Sequence, residues 1–165
     1  MIRAVVNSTP LIALSITGHF GVLKRLFDHV VVPISVYEEV VIQGQGRPGM
    51  KEVTGAYWLE KKAPNERISL SPALLGLDQG ELDVILLSQE IKADWALIDE
   101  KLGRKIAATL GIPVMGTLGI LLAAYSAGFF SAKEADDALE TLTVNSIRIS
   151  PRLMKWFKAQ IVAVK

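Results

Sequence analysis

Short apolar runs alternate along the chain with segments in which apolar residues follow helical spacing. The runs predict buried strands, at 2–6, 29–32, 56–62, 95–98 and 113–115. The spaced segments predict helices, at 8–16, 20–27, 34–42, from 78 onward, at 101–110, 117–130, 133–142 and about 151–164. Residues 68–70 fit neither pattern clearly. The alternation predicts an α/β fold, in which a parallel sheet carries helices on both faces.

Local signals mark where two of these helices begin. Pro10 suits a first helical turn, so Ser8 or Thr9 is predicted to cap that helix. Asp78 is followed three residues later by Glu81, which is the spacing of a capping box. The length of 165 residues fits a single domain over 1–165 that can bury a sizeable core, ending in a basic helix.

An uncharged stretch from residue 106 to 132 raises the question of a membrane span. Gly111, Pro113, Gly116 and Gly119 interrupt this stretch, so it predicts a buried strand followed by a buried helix. The first residues show no basic, apolar and small-residue succession of an export signal. We therefore expect a cytoplasmic protein without a membrane segment.

Composition excludes several classes of function. A hydrophobic content of 50% with 21% charged residues argues against a disordered chain. Cysteine is absent, which excludes disulfide scaffolds, thiol catalysis and cysteine-based zinc sites. Only two histidines are present, so a histidine-rich metal site or a Ser-His-Asp triad fits poorly. The net charge of +1 means that any binding to nucleic acid depends on local patches.

Oxygen-bearing side chains collect where the predicted strands end. In an open parallel sheet the ligand site lies beyond the carboxyl ends of the strands. The acidic and amide residues placed near this edge are Asn7, Glu38, Glu39, Glu81, Asp83, Asp99 and Glu100. Mg²⁺ and Mn²⁺ prefer such oxygen ligands, and two such ions can promote phosphodiester cleavage. The edge is thus a candidate metal site.

Each of these residues also has a purely structural interpretation. Asp99 follows an apolar strand and can cap the next helix. Glu38 and Glu39 both lie off the apolar side of their helix, so either can be a surface residue. Asp83 points roughly 200° around the helix from Glu81, which predicts a solvated Asp83.

Charge is unevenly distributed along the chain. Residues 78–100 contain seven acids and one base, whereas the last 25 residues contain five bases and no acid. Such a chain can hold a metal ion at one place and a phosphate backbone at another. Lys101, Arg104 and Lys105 follow Asp99 and are candidate phosphate contacts, although a solvated helix face explains them equally well.

The segment Gly44-Gln-Gly46-Arg-Pro-Gly49 matches a dinucleotide-binding pattern literally. The segment before it is predicted as a helix rather than a strand, and Pro48 removes an amide that could bind phosphate. We therefore predict a flexible loop here, and a nucleotide-binding domain is the remote third hypothesis.

Four segments together resemble the PIN-domain family. They are Val6-Asn-Ser-Thr-Pro-Leu-Ile-Ala-Leu14, Val32-Pro-Ile-Ser-Val-Tyr-Glu-Glu-Val40, Leu77-Asp-Gln-Gly-Glu-Leu-Asp83 and Ala96-Leu-Ile-Asp-Glu100. A branch of PIN-like proteins also adds a Gly-Thr-Leu-Gly segment, as at Gly116–Gly119, and a basic C-terminal helix. The resemblance implies a Rossmann-like α/β/α sandwich and an endoribonuclease dependent on Mg²⁺ or Mn²⁺. It further implies a homodimer, often the toxin of a toxin–antitoxin pair of the VapC type.

The resemblance also implies which residues form the site. The four acidic positions of the family fall on Asn7, Glu39, Glu81 and Asp99, and the last three would bind the metal ion. The first position is normally aspartate, and Asn7 brings an amide oxygen without a charge. Metal affinity is therefore expected to be lower than is usual for the family.

Two hypotheses follow for the function. In the first, a metal-dependent endoribonuclease uses Asn7, Glu39, Glu81 and Asp99 as its catalytic set, and RNA contacts Ser8, Thr9, Lys101, Arg104 and Lys105. In the second, the chain is a weakly active or inactive PIN-like module that binds RNA or a protein partner such as an antitoxin. Nuclease activity that depends on Mn²⁺ and on Glu81 and Asp99 separates them.

Overall fold

A computed structural model of the chain describes residues 1–65 and 76–163. The strands in this part are β1 (Arg3–Val6), β2 (His29–Pro33), β3 (Leu59–Lys62), β4 (Trp95–Leu97) and β5 (Val114–Met115). They form one sheet in the order β3-β2-β1-β4-β5, and every neighbouring pair is parallel. The predicted parallel α/β architecture is therefore confirmed. The unassigned residues 68–70 lie outside the described residues.

Helices cover this sheet. They are α1 (Ser8–Thr17), α2 (Val22–Leu26), α3 (Ile34–Tyr37), α4 (Met50–Gly55), α5 (Gln79–Glu90), α6 (Lys101–Thr109), α7 (Thr117–Ser126), α8 (Ala132–Val144) and α9 (Pro151–Ala163). Among the described residues, no helix is long and apolar enough to cross a membrane. The uncharged stretch instead ends α6, crosses β5 and forms α7, as its glycines and proline indicated.

Several predicted boundaries were wrong. The single helix predicted over 34–42 is divided into α3 and a π-helical segment, Glu38–Gln43. Helix α4, at residues 50–55, was not predicted. Helix α7 ends at Ser126 rather than at 130, because Gly128 adopts a left-handed conformation with φ of 78° and its N–H bonds to the Tyr125 carbonyl.

The central strands and the helices that cover them share one hydrophobic core. Residues Ala4, Val5 and Val6 of β1 are fully buried, since the strand has neighbours on both edges and helices on both faces. Helix α7 contributes Ile120 and Leu121 to this core and packs against α1, α2, α8 and α9. Its apolar sequence is thus explained within one chain, and the homodimer stays a prediction.

Candidate active site

The carboxyl edge of the sheet is also where several helices begin. Strand β1 leads into α1, β4 leads into α6 and β5 leads into α7, while α5 begins at the same acidic edge with Asp78 as its N-cap. Helix N-termini carry unpaired N–H groups and a partial positive charge, which stabilise nearby anions. The helix N-termini at this edge therefore stabilise the carboxylates of the chain and can also bind the phosphate groups of a ligand.

Asn7 occupies the N-cap position of α1 and is only 2% exposed. Its Nδ2 donates a hydrogen bond to Glu100 Oε2 at 3.1 Å. Its Oδ1 is buried and has no hydrogen-bond partner among the described residues. Gly80 leaves room for this oxygen, because a Cβ at that position would lie 3.2 Å from it. The site thus contains one free, buried, carbonyl-type oxygen.

Ser8 and Thr9 do not cap α1, contrary to the prediction. The Ser8 hydroxyl donates to Glu39 Oε1 at 3.3 Å, and the Thr9 hydroxyl donates to Glu100 Oε1 at 2.5 Å. Both side chains bond to carboxylates at the sheet edge. The N-cap residue of α1 is Asn7. The first turn of α1 therefore orients two carboxylates of the site.

Glu81 has a strongly raised carboxyl pKa. Its side chain projects from the first turn of α5, and the residue is 8% exposed. Burial raises the pKa of Glu81 to about 7, and the carboxylates of Asp78, Glu100 and Glu39 reinforce this shift. Gly103 of α6 lies beside it, at a distance where a Cβ would be in ordinary van der Waals contact with Glu81 Oε2. In the absence of a cation, Glu81 is therefore only partly ionised at neutral pH.

Glu39 lies in the π-helical segment and faces the same group of acids. Its side chain is largely exposed, yet partial burial and the proximity of Asp78 raise the pKa of its carboxyl group. The hydrogen bond from Ser8 opposes that shift. π-Helical turns are rare and occur often at functional sites.

Asp99 is held by the start of α7. The Thr117 N–H donates to one carboxylate oxygen at 2.7 Å, and the Thr117 hydroxyl donates to the other at 2.5 Å. Burial raises the pKa of Asp99, while these bonds and the charge of Arg104 lower it. Gly116 is required here, because a Cβ would lie 2.5 Å from Arg104 Nη1 and 2.8 Å from Asp99 Oδ1. Asp99 is thus no cap of α6, whose N-cap residue is Glu100.

Glu38 and Asp83, the alternative acids, differ in environment from Glu39 and Glu81. Glu38 is exposed, as Glu39 is, but it is Glu39 that accepts the hydrogen bond from Ser8. Asp83 is 1% exposed and accepts hydrogen bonds from Ser35 at 2.6 Å and from Gln79 at 2.9 Å. The prediction that Asp83 is solvated was wrong, because α5 is buried on both sides rather than along one face.

Glu100 is the residue that the predicted site left out. It bonds to Asn7 and Thr9, and its charge raises the pKa of Glu39, Glu81 and Asp99. The sequence offered one signal, since Glu100 directly follows Asp99 after the apolar strand. The phosphate contacts predicted on α6 differ in position: Lys101 and Lys105 are exposed, whereas Arg104 is half-buried beside Asp99.

The acidic cluster of Glu39, Asp78, Glu81 and Glu100 is not a finished metal site. In residues 1–65 and 76–163, no three acidic or histidine side chains are arranged to hold a metal ion as they stand. Both Asp99 oxygens accept bonds from Thr117, and the two Glu100 oxygens accept bonds from Asn7 and Thr9. The donor chemistry nevertheless suits Mg²⁺ or Mn²⁺, since it combines mutually repelling carboxylates with the free Oδ1 of Asn7.

The raised pKa of Glu81 predicts how stability depends on pH without added metal. The unfolded chain loses the Glu81 proton near the ordinary value of 4.5, whereas the folded chain keeps it until about 7. The free energy of unfolding should therefore fall as pH rises from about 4.5 to 7, by about 1–3 kcal/mol. Glu81→Gln mimics the protonated form and should reduce this fall. Urea unfolding at several pH values in EDTA measures it, and parallel profiles for both proteins would contradict the assignment.

The chain is an α/β protein with a five-stranded parallel sheet. The acids at the carboxyl edge of this sheet form a polar site whose chemistry suits a cation. The family model described as DUF3368, a PIN domain, matches residues 3–161. The chain therefore belongs to the PIN-domain family, a family of nuclease type whose members generally depend on divalent metal ions. The resemblance noted in the sequence is thereby confirmed. A search of curated proteins found no match.

Proposed function

We propose that the protein is a metal-dependent endoribonuclease that hydrolyses phosphodiester bonds of RNA at the carboxyl edge of its sheet. The observation that carries this proposal is the contact of buried Asn7 with half-buried Glu100, together with Glu81, whose pKa is raised by burial and by Glu100 and Glu39. These acids repel one another, and a divalent cation would relieve that repulsion. Family membership supports nuclease chemistry and favours RNA as the substrate.

Glu39, Glu81 and Asp99 are the residues that would hold Mg²⁺ or Mn²⁺, and Asn7 would add its neutral oxygen. When bound, such an ion supplies a water of lowered pKa and stabilises the leaving oxygen. The chain's own groups prepare the site: Ser8 orients Glu39, Thr117 orients Asp99, and Asn7 with Thr9 orients Glu100. The N-termini of α1 and α7 favour the phosphate group of RNA at the same edge.

A second function has one observation in its favour. Asn7 brings no charge to the position where the family normally has an acid. The missing charge weakens cation binding, so a PIN-like module with little activity that binds RNA or a protein partner is the alternative. A toxin role with an antitoxin, a homodimer and a cytoplasmic location all remain proposals.

Cleavage of a labelled single-stranded RNA with Mn²⁺ tests the nuclease proposal. We expect cleavage that stops in EDTA and falls at least about tenfold in Glu81→Gln and Asp99→Asn, since each removes a charge from the proposed metal site. Glu140→Gln is a matched control, because this exposed acid lies on α8 away from the acidic cluster. Full activity of both site variants would remove Glu81 and Asp99 from the proposed site, whereas no activity in the wild type at any Mn²⁺ concentration would favour the alternative.

A further inference from the structure

A cavity of about 900 Å³ opens directly beside the acidic edge. One end contains Thr9, Asp99 and Glu100, so the cavity is continuous with the candidate active site. The rest lies between β5 with the start of α7 and the connection from α8 into α9. The residues of that connection and of α9 that line it are Ser146, Ile147, Arg148, Ile149, Ser150, Arg152, Leu153 and Trp156.

One face of α9 forms the apolar wall of this cavity. Trp156 and Leu153 both line it and are each 41% exposed. Phe157 and Ile161 lie on the other side of the helix and are buried in the core. Helix α9 therefore docks through one face and presents a large aromatic side chain to the cavity through another.

Three arginines line the same cavity. Arg104 lies near Asp99 at the active-site end, and Arg148 and Arg152 lie towards α9. Within the part of the chain that the structure describes, no acidic side chain forms an ion pair with Arg148 or Arg152. An apolar wall with unpaired guanidinium groups beside it suits a ligand that is flat and apolar in one part and anionic in another.

We propose that this cavity is a subsite for an unpaired nucleotide next to the cleaved phosphodiester, with its base on Trp156 and Leu153 and its phosphate at Arg148 and Arg152. The inference rests on the proposed nuclease function and adds the place where the flanking RNA binds. Bases stack on exposed aromatic rings in single-stranded complexes, and arginines hold the backbone. A base in a duplex must unpair before it can stack on Trp156, and unpairing costs free energy.

Charge favours RNA over other occupants. An apolar protein segment would cover Trp156 and Leu153 but would leave the two guanidinium groups without anions. A phosphate backbone satisfies both, and the continuity with Thr9 and Glu100 places it in line with the acidic cluster. RNA therefore accounts for the apolar and the cationic residues together.

Binding in EDTA tests the subsite apart from catalysis. The probe is a short labelled single-stranded RNA, compared with a duplex of the same length by fluorescence anisotropy. Arg152→Ala and Trp156→Ala should each weaken single-strand binding about tenfold, and Trp156→Phe should restore most of it. Lys158→Ala is the matched control: it removes one charge from α9, but Lys158 lines a different surface depression with Asp136 and Glu140.

The salt dependence adds a second readout. Arg152→Ala should reduce the slope of log affinity against log salt by roughly one phosphate contact, whereas Lys158→Ala should leave it nearly unchanged. Three results would overturn the subsite. The first is an equal loss of RNA affinity in Arg152→Ala and Lys158→Ala, and the second is equal binding of duplex and single-stranded RNA. The third is a Trp156 variant that loses a dimer but keeps its RNA affinity. Thermal melting confirms that each variant is folded. Cleavage with Mn²⁺, measured in parallel, shows independently whether the nuclease proposal stands.

Discussion

Replacing Asn7 by aspartate is expected to raise the affinity for Mn²⁺ by about ten- to a hundredfold, and any nuclease activity with it. The reason is electrostatic, because position 7 is buried beside Glu100 and the acidic cluster. Two unit charges about 4 Å apart interact by ~4 kcal/mol at an effective dielectric constant of ~20. Desolvation and repulsion among the acids cancel part of this, which leaves about 1.4–3 kcal/mol in metal binding.

The same substitution should destabilise the metal-free protein. Asn7 Nδ2 donates to Glu100 Oε2 at 3.1 Å, and an aspartate there would place two carboxylates face to face. Calorimetric titration with Mn²⁺ and urea unfolding in EDTA measure the two effects. Asn145→Asp provides the control for the Mn²⁺ titration, since it adds the same charge at the exposed end of α8. Equal Mn²⁺ affinities for Asn7→Asp and wild type would remove Asn7 from the metal site.

Phe157→Ala is expected to lower the free energy of unfolding by about 3–5 kcal/mol. Phe157 is fully buried, and its helix α9 packs against α7 and α8, so truncation loses apolar burial and leaves a void. Lys155→Ala changes an exposed residue of the same helix and should have little effect. Urea denaturation measures both. A loss below about 1 kcal/mol for Phe157→Ala would show that α9 does not dock on the core in solution.

The central strands β1 and β4 were predictable because each is a short apolar run that leads to a polar residue, whereas edge strand β3 is mostly charged. Val5 and Val6 before Asn7, and Ala96 and Leu97 before Asp99, show that rule. The position of the carboxyl edge, and hence of the candidate site, could be predicted from the ends of these strands. The π-helical segment could not be predicted, because one added residue in a helical turn leaves the spacing of apolar side chains nearly unchanged over so few residues.

The contacts inside the site depend on tertiary structure and could not be predicted from local spacing. Asn7 and Glu100 are 93 positions apart, and Asp99 and Thr117 are 18 apart. A helical projection gave the direction of Asp83 relative to Glu81, but it could not show that Ser35 approaches from that side. Leu102 illustrates the converse, since it lies on the apolar side of α6 in projection and is 45% exposed in the fold.

The two hydrogen bonds from Thr117 fix the orientation in which Asp99 can meet a cation, because each carboxylate oxygen keeps a lone pair for a ligand after it has accepted one bond. A hydrogen bond to a charged group is worth about 1.5–3 kcal/mol, so an ion is expected to bind the carboxylate as Thr117 holds it. The first turn of α7 also borders the cavity under α9. Thr117 therefore belongs to both places, since it lines the cavity and also sets the direction of the Asp99 carboxylate beside it.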